Sequence, residues 1–291
     1  MNHKQIKTTI LLTFFLLLSC NLFALNLSAT DGLNRKINLK SVPQKIISLG
    51  AASTEILFAA GAEKQIAAVS EYSDFPPEAK NLPVIGGFDG KTISTEKLMA
   101  YEPDFVILYK GMHDFLIPFL DKYKIDYYVS DAQTINSVIN EIYSLSVLTG
   151  HEKKGKELVS KYKKEINQYS ENKNTVSVYW EVCYEPFMSA GKSSFINDLI
   201  SIAGGKNIFA EVDQAYPVVS EESIIAANPD FILIPASSRT TAETVKNRRG
   251  WNEISAVKNG KVIIINDDIY NRPGPRVFEA IKELNSLINE K

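Results

Sequence analysis

The side chains best placed to do chemistry in this 291-residue chain are ones that bind rather than react. Aromatics and arginines recur beside short apolar runs. Ala51, Ala52 and Ser53 follow IISLG (46–50), Tyr72 follows IAAVS (66–70), Phe88 closes VIGGF (84–88), and Tyr109 closes FVILY (105–109) with Lys110 next to it. Trp180 lies within VSVYWEV (176–182), and Tyr184 and Phe187 lie just beyond it. Tyr216 precedes a later apolar run, and Arg272 and Arg276 flank the start of the last helical pattern. Flat rings give a large contact area at little entropic cost. An arginine fork meets an anionic group bidentately. Small residues at 50–53 would let a flat solute approach the backbone. The plainer reading is that thirteen Tyr and fourteen Phe mostly fill cores and surfaces, and that Arg276 contacts carboxylates near its own helix.

Reactive constellations are missing from the text of the chain. AGKSS (190–194) contains GKS, but Pro186 stands where a phosphate-binding loop needs its leading Gly. There is no G-x-S-x-G elbow. Only His3, His113 and His151 exist, so no metal site built on several histidines is expected. No spaced carboxylate pair suggests acid–base work. No cofactor is expected.

One passage is written nearly twice. STEKLMAYEPDFVILY (94–109) aligns without gaps on SEESIIAANPDFILIP (220–235), matching Ser94 to Ser220, Glu96 to Glu222 and Pro103-Asp104-Phe105 to Pro229-Asp230-Phe231. LFAAGAEKQIAAV (57–69) similarly resembles LISIAGGKNIFAEV (199–212). Two duplicated segments in the same order argue two similar lobes. In both copies of the first, a Ser sits at the N-cap position and places a Glu in the first turn. Such a Glu compensates the helix dipole by about 0.3–1 kcal/mol. Glu221 competes with Glu222 for any further role.

Length gives room for two domains of about 100–150 residues. A composition of 45% hydrophobic and 23% charged residues fits a globular protein with a full core. The net charge of −2 argues against nucleic acid as a partner. Residues 1–7 carry Lys4 and Lys7, and TTILLTFFLLL (8–18) has the length of a signal h-region, too short for a transmembrane span. LLSC, ending at Cys20, resembles the lipobox of bacterial lipoproteins, which implies acylation of Cys20. Cleavage after Ala24 is the competing reading. Either way the chain is exported to the periplasm or cell surface. Cys183 is then left without a partner, so no disulfide framework is possible, and it reads as a buried small hydrophobe.

The elements that must position the binding residues alternate between strand and helix. Strand-like runs at 46–50, 66–70, 84–88, 105–109 and 127–129 are separated by helical patterns at 53–61, 94–101, 113–123 and 134–149. The pattern restarts after residue 174 with strands at 176–182, 231–236 and 262–266, a helix at 194–205 and a last helix beginning PGPR. Such alternation argues parallel sheets with crossover helices. Between the halves, Leu158, Tyr162, Ile166 and Tyr169 form one narrow apolar stripe on an otherwise charged helix. The expected fold is α/β, two Rossmann-like lobes with parallel sheets joined by one long α-helix. The expected bounds are a signal peptide at 1–19, a tether at 20–30, lobes at 31–150 and 173–291, and the linking helix at 151–172.

This organisation resembles the helical-backbone class of bacterial periplasmic binding proteins, the receptors of ABC importers for vitamin B12, haem and iron chelates. PQKIISLGAASTEILFAAGA (43–62), YEPDFVI (101–107), EPFMSAGKSSFINDLISIAGGKNIF (185–209), YPVVSEESIIAANPDFIL (216–233) and RPGPRVFEAI (272–281) carry the resemblance by their order and spacing. SDFPPEAKNLP (73–83) and AGKSSFIND look most like the vitamin B12 binders. The resemblance implies a cleft between the lobes, a corrinoid, haem or ferric siderophore within it, and no reaction. Phe88 and Tyr216 match positions where that group sets aromatics against the corrin, commonly Trp, from which this chain departs. The resemblance also implies that Glu96 and Glu222 dock on a two-fold symmetric permease, which works with its ATPase, and that the receptor is a monomer. A rival class is a tetrapyrrole- or metal-handling enzyme with a chelatase-like fold. The export signal and the lack of catalytic His or several Cys argue against it.

Overall fold

The runs FVILY and FILIP are apolar at every position, the signature of a strand covered on both faces. In the computed structural model, which describes residues 27–169 and 176–289, Phe105–Leu108 and Phe231–Pro235 are buried throughout. The expected signal peptide and Cys20 lie outside the described residues.

A short antiparallel pair opens the described chain: β1 (Ser28–Thr30) and β2 (Lys36–Asn38). Residues 28–30, expected in a tether, are therefore a strand, with Leu27 buried beside them. The first lobe then runs β3 (Ile46–Ser48), α1 (Ala51–Ala60), β4 (Ile66–Val69), α2 (Thr95–Ala100), β5 (Phe105–Tyr109), α3 (Ile117–Tyr123), β6 (Asp126–Ser130) and α4 (Ile135–Leu148). Its sheet has the order β4-β3-β5-β6, all parallel. VIGGF, expected as a strand, forms only an isolated bridge from Val84 to Val69. The expected helix at 113–123 opens as a 3-10 turn at 114–116 before α3.

A single helix, α5 (Glu152–Asn167), follows. Leu158 and Tyr162 are buried and Ile166 and Tyr169 pack on the core, so the apolar stripe faces inward. The second lobe contains β7 (Ser177–Cys183), β8 (Met188–Ser189), α6 (Phe195–Ala203), β9 (Lys206–Asn207), α7 (Glu221–Ala227), β10 (Phe231–Pro235), α8 (Ala242–Lys246), α9 (Ser255–Lys258), β11 (Val262–Ile265), α10 (Asp267–Tyr270) and α11 (Val277–Asn289). Its sheet runs β11-β10-β7, with β8 antiparallel and β9 parallel to β7. Gly61 and Gly204 end α1 and α6 at φ 87° and 97°, a left-handed conformation that glycine adopts without a Cβ clash. One core passes through both lobes, bridged by the Tyr162 ring stacked 3.9 Å from that of Phe278.

The duplicated passage does the same work twice. Ser94 Oγ caps α2 by accepting from Lys97 N–H at 3.0 Å, and Ser220 Oγ caps α7 by accepting from Ser223 N–H at 3.1 Å. Glu102 and Asn228, each before a proline, hold φ 48° and 45°. Asp104 accepts from Lys45 N–H at 2.9 Å and Asp230 from Ser177 N–H at 2.8 Å, so each Pro-Asp tethers its strand to the lobe's first strand.

Candidate functional site

The chain order of the first sheet reverses between β3 and β5, and open α/β sheets bind ligands outside the carboxyl ends of such strands. The loop after β3 is Leu49-Gly50 and runs straight into α1. A Cβ on Gly50 would stand 3.3 Å from Ser53 Oγ, a tight contact that this hydroxyl would have to yield to. Buried hydroxyls fix the neighbouring loop. Thr54 Oγ1 donates to Ser48 Oγ (2.9 Å) or Ser73 Oγ (3.1 Å), and Ser70 Oγ donates to the Leu49 carbonyl at 2.6 Å. This knot holds Tyr72 at φ 69° with its side chain exposed, a strained backbone for a bulky residue.

His113 fixes the aromatic wall. Its Nδ1 accepts from Tyr109 N–H at 3.0 Å and its Nε2 lies 2.8 Å from the Phe88 carbonyl. These partners require the neutral ring with the proton on Nε2. Burial pushes its pKa below the ordinary 6.5. Phe88 and Tyr109 stand 5.6 Å apart, tilted at 45°. Burial, helped by the neighbouring Tyr216 hydroxyl, pushes the Tyr109 phenol upward.

Gly50, Ala51, Ala52, Tyr72, Phe88 and Tyr109 join Asp267, Asp268, Asn271, Arg272 and Pro273 around a mostly apolar cavity of about 280 Å³ between the lobes. A second cavity of about 250 Å³, lined by Trp180, Val182, Phe195, Ile196, Tyr216, Pro235, Ser237, Ser238 and Asn271, adjoins it through Asn271. The lobes meet beneath. Arg276 donates from Nη2 and Nε to Glu55 Oε1 and Oε2 at 2.7 and 3.0 Å, and both side chains are buried. Burial raises the Glu55 pKa against the opposing pull of Arg276 and Arg272. Gly274 packs on Ala52, where a Cβ would fall 3.3 Å from the Ala52 Cα. Arg272 bridges Asp74 at 2.7 Å and Asp268 at 2.6 Å, with Glu55 at 3.4 Å.

Residues 46–269 match the periplasmic binding protein family. The chain belongs to that family. Among relatives of this periplasmic binding protein, an uncharacterised ABC transporter substrate-binding lipoprotein, YvrC of Bacillus subtilis, is 29% identical over 89% of the chain and 84% of the relative. The crystal structure of the vitamin B12-binding protein BtuF of Vibrio cholerae superposes with a TM-score of 0.73 at 28% identity, covering 84% of this chain and 96% of that one. A possible iron-binding, periplasmic solute-binding protein of Staphylococcus epidermidis gives a TM-score of 0.76 at 31% identity, covering 86% and 100%.

Several expected contacts of this periplasmic binding protein lie elsewhere. Trp180 lines the second cavity, not the one between the lobes; it is 1% exposed and its ring packs on Tyr270, because β7 is a central strand covered on both faces. Ser53 is equally buried, one turn into α1. Tyr184 and Phe187 pack on each other and on Arg248, which forks to the buried Glu181, and line neither cavity. Lys110 pairs with Asp131 at 2.5 Å, also off the cavity. Cys183, expected buried, is half-buried at the end of β7. Asp267 and Asp268 were missed although VIIIN leads into them, which puts them beyond the carboxyl end of β11. Among the described residues, no group of three His, Cys, Asp or Glu could hold a metal ion, and no helix is long and apolar enough to cross a membrane.

Proposed function

We propose that this chain is an exported solute receptor that captures a corrinoid between its lobes, delivers it to an ABC permease and performs no reaction. The observation that carries this is the cavity between the lobes, with Tyr72, Phe88 and Tyr109 on its first-lobe side, adjoined through Asn271 by a second-lobe cavity that holds Tyr216. Rings on both sides can sandwich a flat macrocycle, and the likeness to vitamin B12 binders supports a corrin as that macrocycle. Cys20 carries the lipid anchor, residues 31–150 and 173–291 are the lobes, and the receptor works as a monomer. The likeness to a possible iron-binding structure favours a ferric chelate as the second reading.

Tryptophan fluorescence tests the ligand. Trp180 borders the second cavity from below, so a bound corrin quenches it by energy transfer. Saturable quenching by cyanocobalamin, with haemin as the parallel control, is the expected result. Saturation by haemin alone would transfer the reading to haem.

Glu96 and Glu222 are proposed as the permease anchors, one per lobe, since a pseudo-symmetric receptor meeting a symmetric partner needs the same anchor twice. Both are exposed in the first turns of equivalent helices. Glu221 is held instead by the Trp251 indole N–H at 2.8 Å, which favours Glu222. Replacing both anchors with Lys is expected to abolish uptake while solute affinity stays unchanged; intact uptake would leave these two residues with their helix-dipole role alone.

A further inference from the structure

Flatness alone does not separate a corrin from a haem, but the floor of this cleft carries a second kind of information. Its two arginines are already engaged by protein carboxylates. Arg276 is forked onto Glu55, and Arg272 is held by Asp74, Asp268 and Glu55. Asp267 lines the same cavity; its Oδ2 accepts from Ser237 N–H at 3.0 Å, while its Oδ1 is buried with no hydrogen-bond partner among the described residues. Two cations therefore stand against four carboxylates, a formal charge of −2 at the base of the site.

Building on the receptor reading, we infer that this cleft sorts its solutes by charge. It admits neutral or cationic solutes with amide groups on their rim and refuses those whose rim carries carboxylates. An incoming carboxylate has two options here. It can displace Asp74 or Asp268 from Arg272, leaving that acid without its cation, or it can lie beside negative charge in a partly desolvated site. Both are unfavourable. A carboxamide has neither difficulty, because it brings no charge to the four acids and needs no cation from Arg272. The discrimination is thus built from repulsion of the wrong solute.

The test uses solutes that differ in charge on one scaffold. Cyanocobalamin is neutral; hydrolysis of one rim propionamide gives a monocarboxylate of nearly the same shape. Calorimetric titration of the mature protein at low salt is expected to show the amide form binding about tenfold or more tightly than the acid form. The gap should narrow in Asp268→Asn and in Asp267→Asn, with the far-ultraviolet circular dichroism spectrum and melting temperature of each variant as the check that it is folded. Equal affinities for the two forms would overturn the charge filter and leave the corrinoid reading standing. If neither corrinoid binds, binding of ferrioxamine B, a cationic hydroxamate chelate, with ferric citrate silent would keep the filter and remove the corrinoid. Haemin or ferric citrate binding as tightly as the neutral or cationic solutes would overturn the inference.

Discussion

At the scale of single residues, the aromatic wall depends on one imidazole. His113 takes the Tyr109 N–H on one ring nitrogen and gives its own proton to the Phe88 carbonyl from the other. Protonation would set two donors face to face at Tyr109. Because the folded-state pKa lies below the ordinary 6.5, the stability it confers is complete above pH 6.5 and is lost as pH falls through the folded value. Solute affinity is expected to decline over the same interval, and His113→Ala to remove the acid limb of the profile while costing about 2–3 kcal/mol in urea unfolding. An unchanged acid limb in that variant would assign it to another group. His113 was weighed in the sequence only as a possible metal ligand. Its spacing gave no hint that it would sit between Phe88 and Tyr109, because the contact with Phe88 spans 25 positions and depends on a turn that the VIGGF run does not announce.

At the scale of elements, α4 lays Glu141 against β6, where it is fully buried and accepts from Ser130 Oγ. Burial raises its pKa to about 7, from an ordinary 4.5. The sign is opposite to that of His113: the stability is complete below pH 4.5 and is lost as pH rises through 7, a change on the order of 3 kcal/mol. Melting curves of Glu141→Gln should lose this decline between pH 4.5 and 7; a decline of equal size in the variant would refute the assignment. The elements themselves were the most legible part of the chain. FVILY and FILIP read as doubly covered strands because every position is apolar, and α5 showed its inward stripe because the rest of the helix is charged. VIGGF misled because its pairing with β4 is confined to one bridge, Val84 to Val69, too short to make a strand. The binding residues were legible as loops, not as contacts. Proximity to a strand end picked out Ala51, Phe88, Tyr109 and Arg272, all of which line the cavity between the lobes, but it also picked out Tyr184 and Phe187, which line neither cavity. Asp267 and Asp268 were passed over because acids are ordinarily solvated, and only their convergence with Arg272 gives them meaning.

At the scale of the whole molecule, the junction of the lobes rests on a buried ion pair. Removing one member leaves the other charged and unpaired, so Arg276→Ala is expected to lower stability by about 3–5 kcal/mol. Replacing both Glu55 and Arg276 with Met should be far milder, within about 1 kcal/mol of the parent, because a desolvated pair and an apolar pair of similar volume are near in energy. Denaturant unfolding of the single and double variants decides this; a double variant as damaged as the single would mean that the pair contributes more than its own neutralisation. The same junction bears on how the receptor reports its cargo. With Arg276 seated on Glu55 and Gly274 against Ala52, the lobes are tied at this junction, and a hinge so pinned would hold Glu96 and Glu222, the proposed anchors, at nearly one spacing whether the cleft is empty or full. A permease that measured only that spacing could not tell a loaded receptor from an idle one. Supply would then act against itself: in a cell that made receptor faster than solute arrived, idle copies would occupy the importer's entrance, and uptake would slow as receptor accumulated.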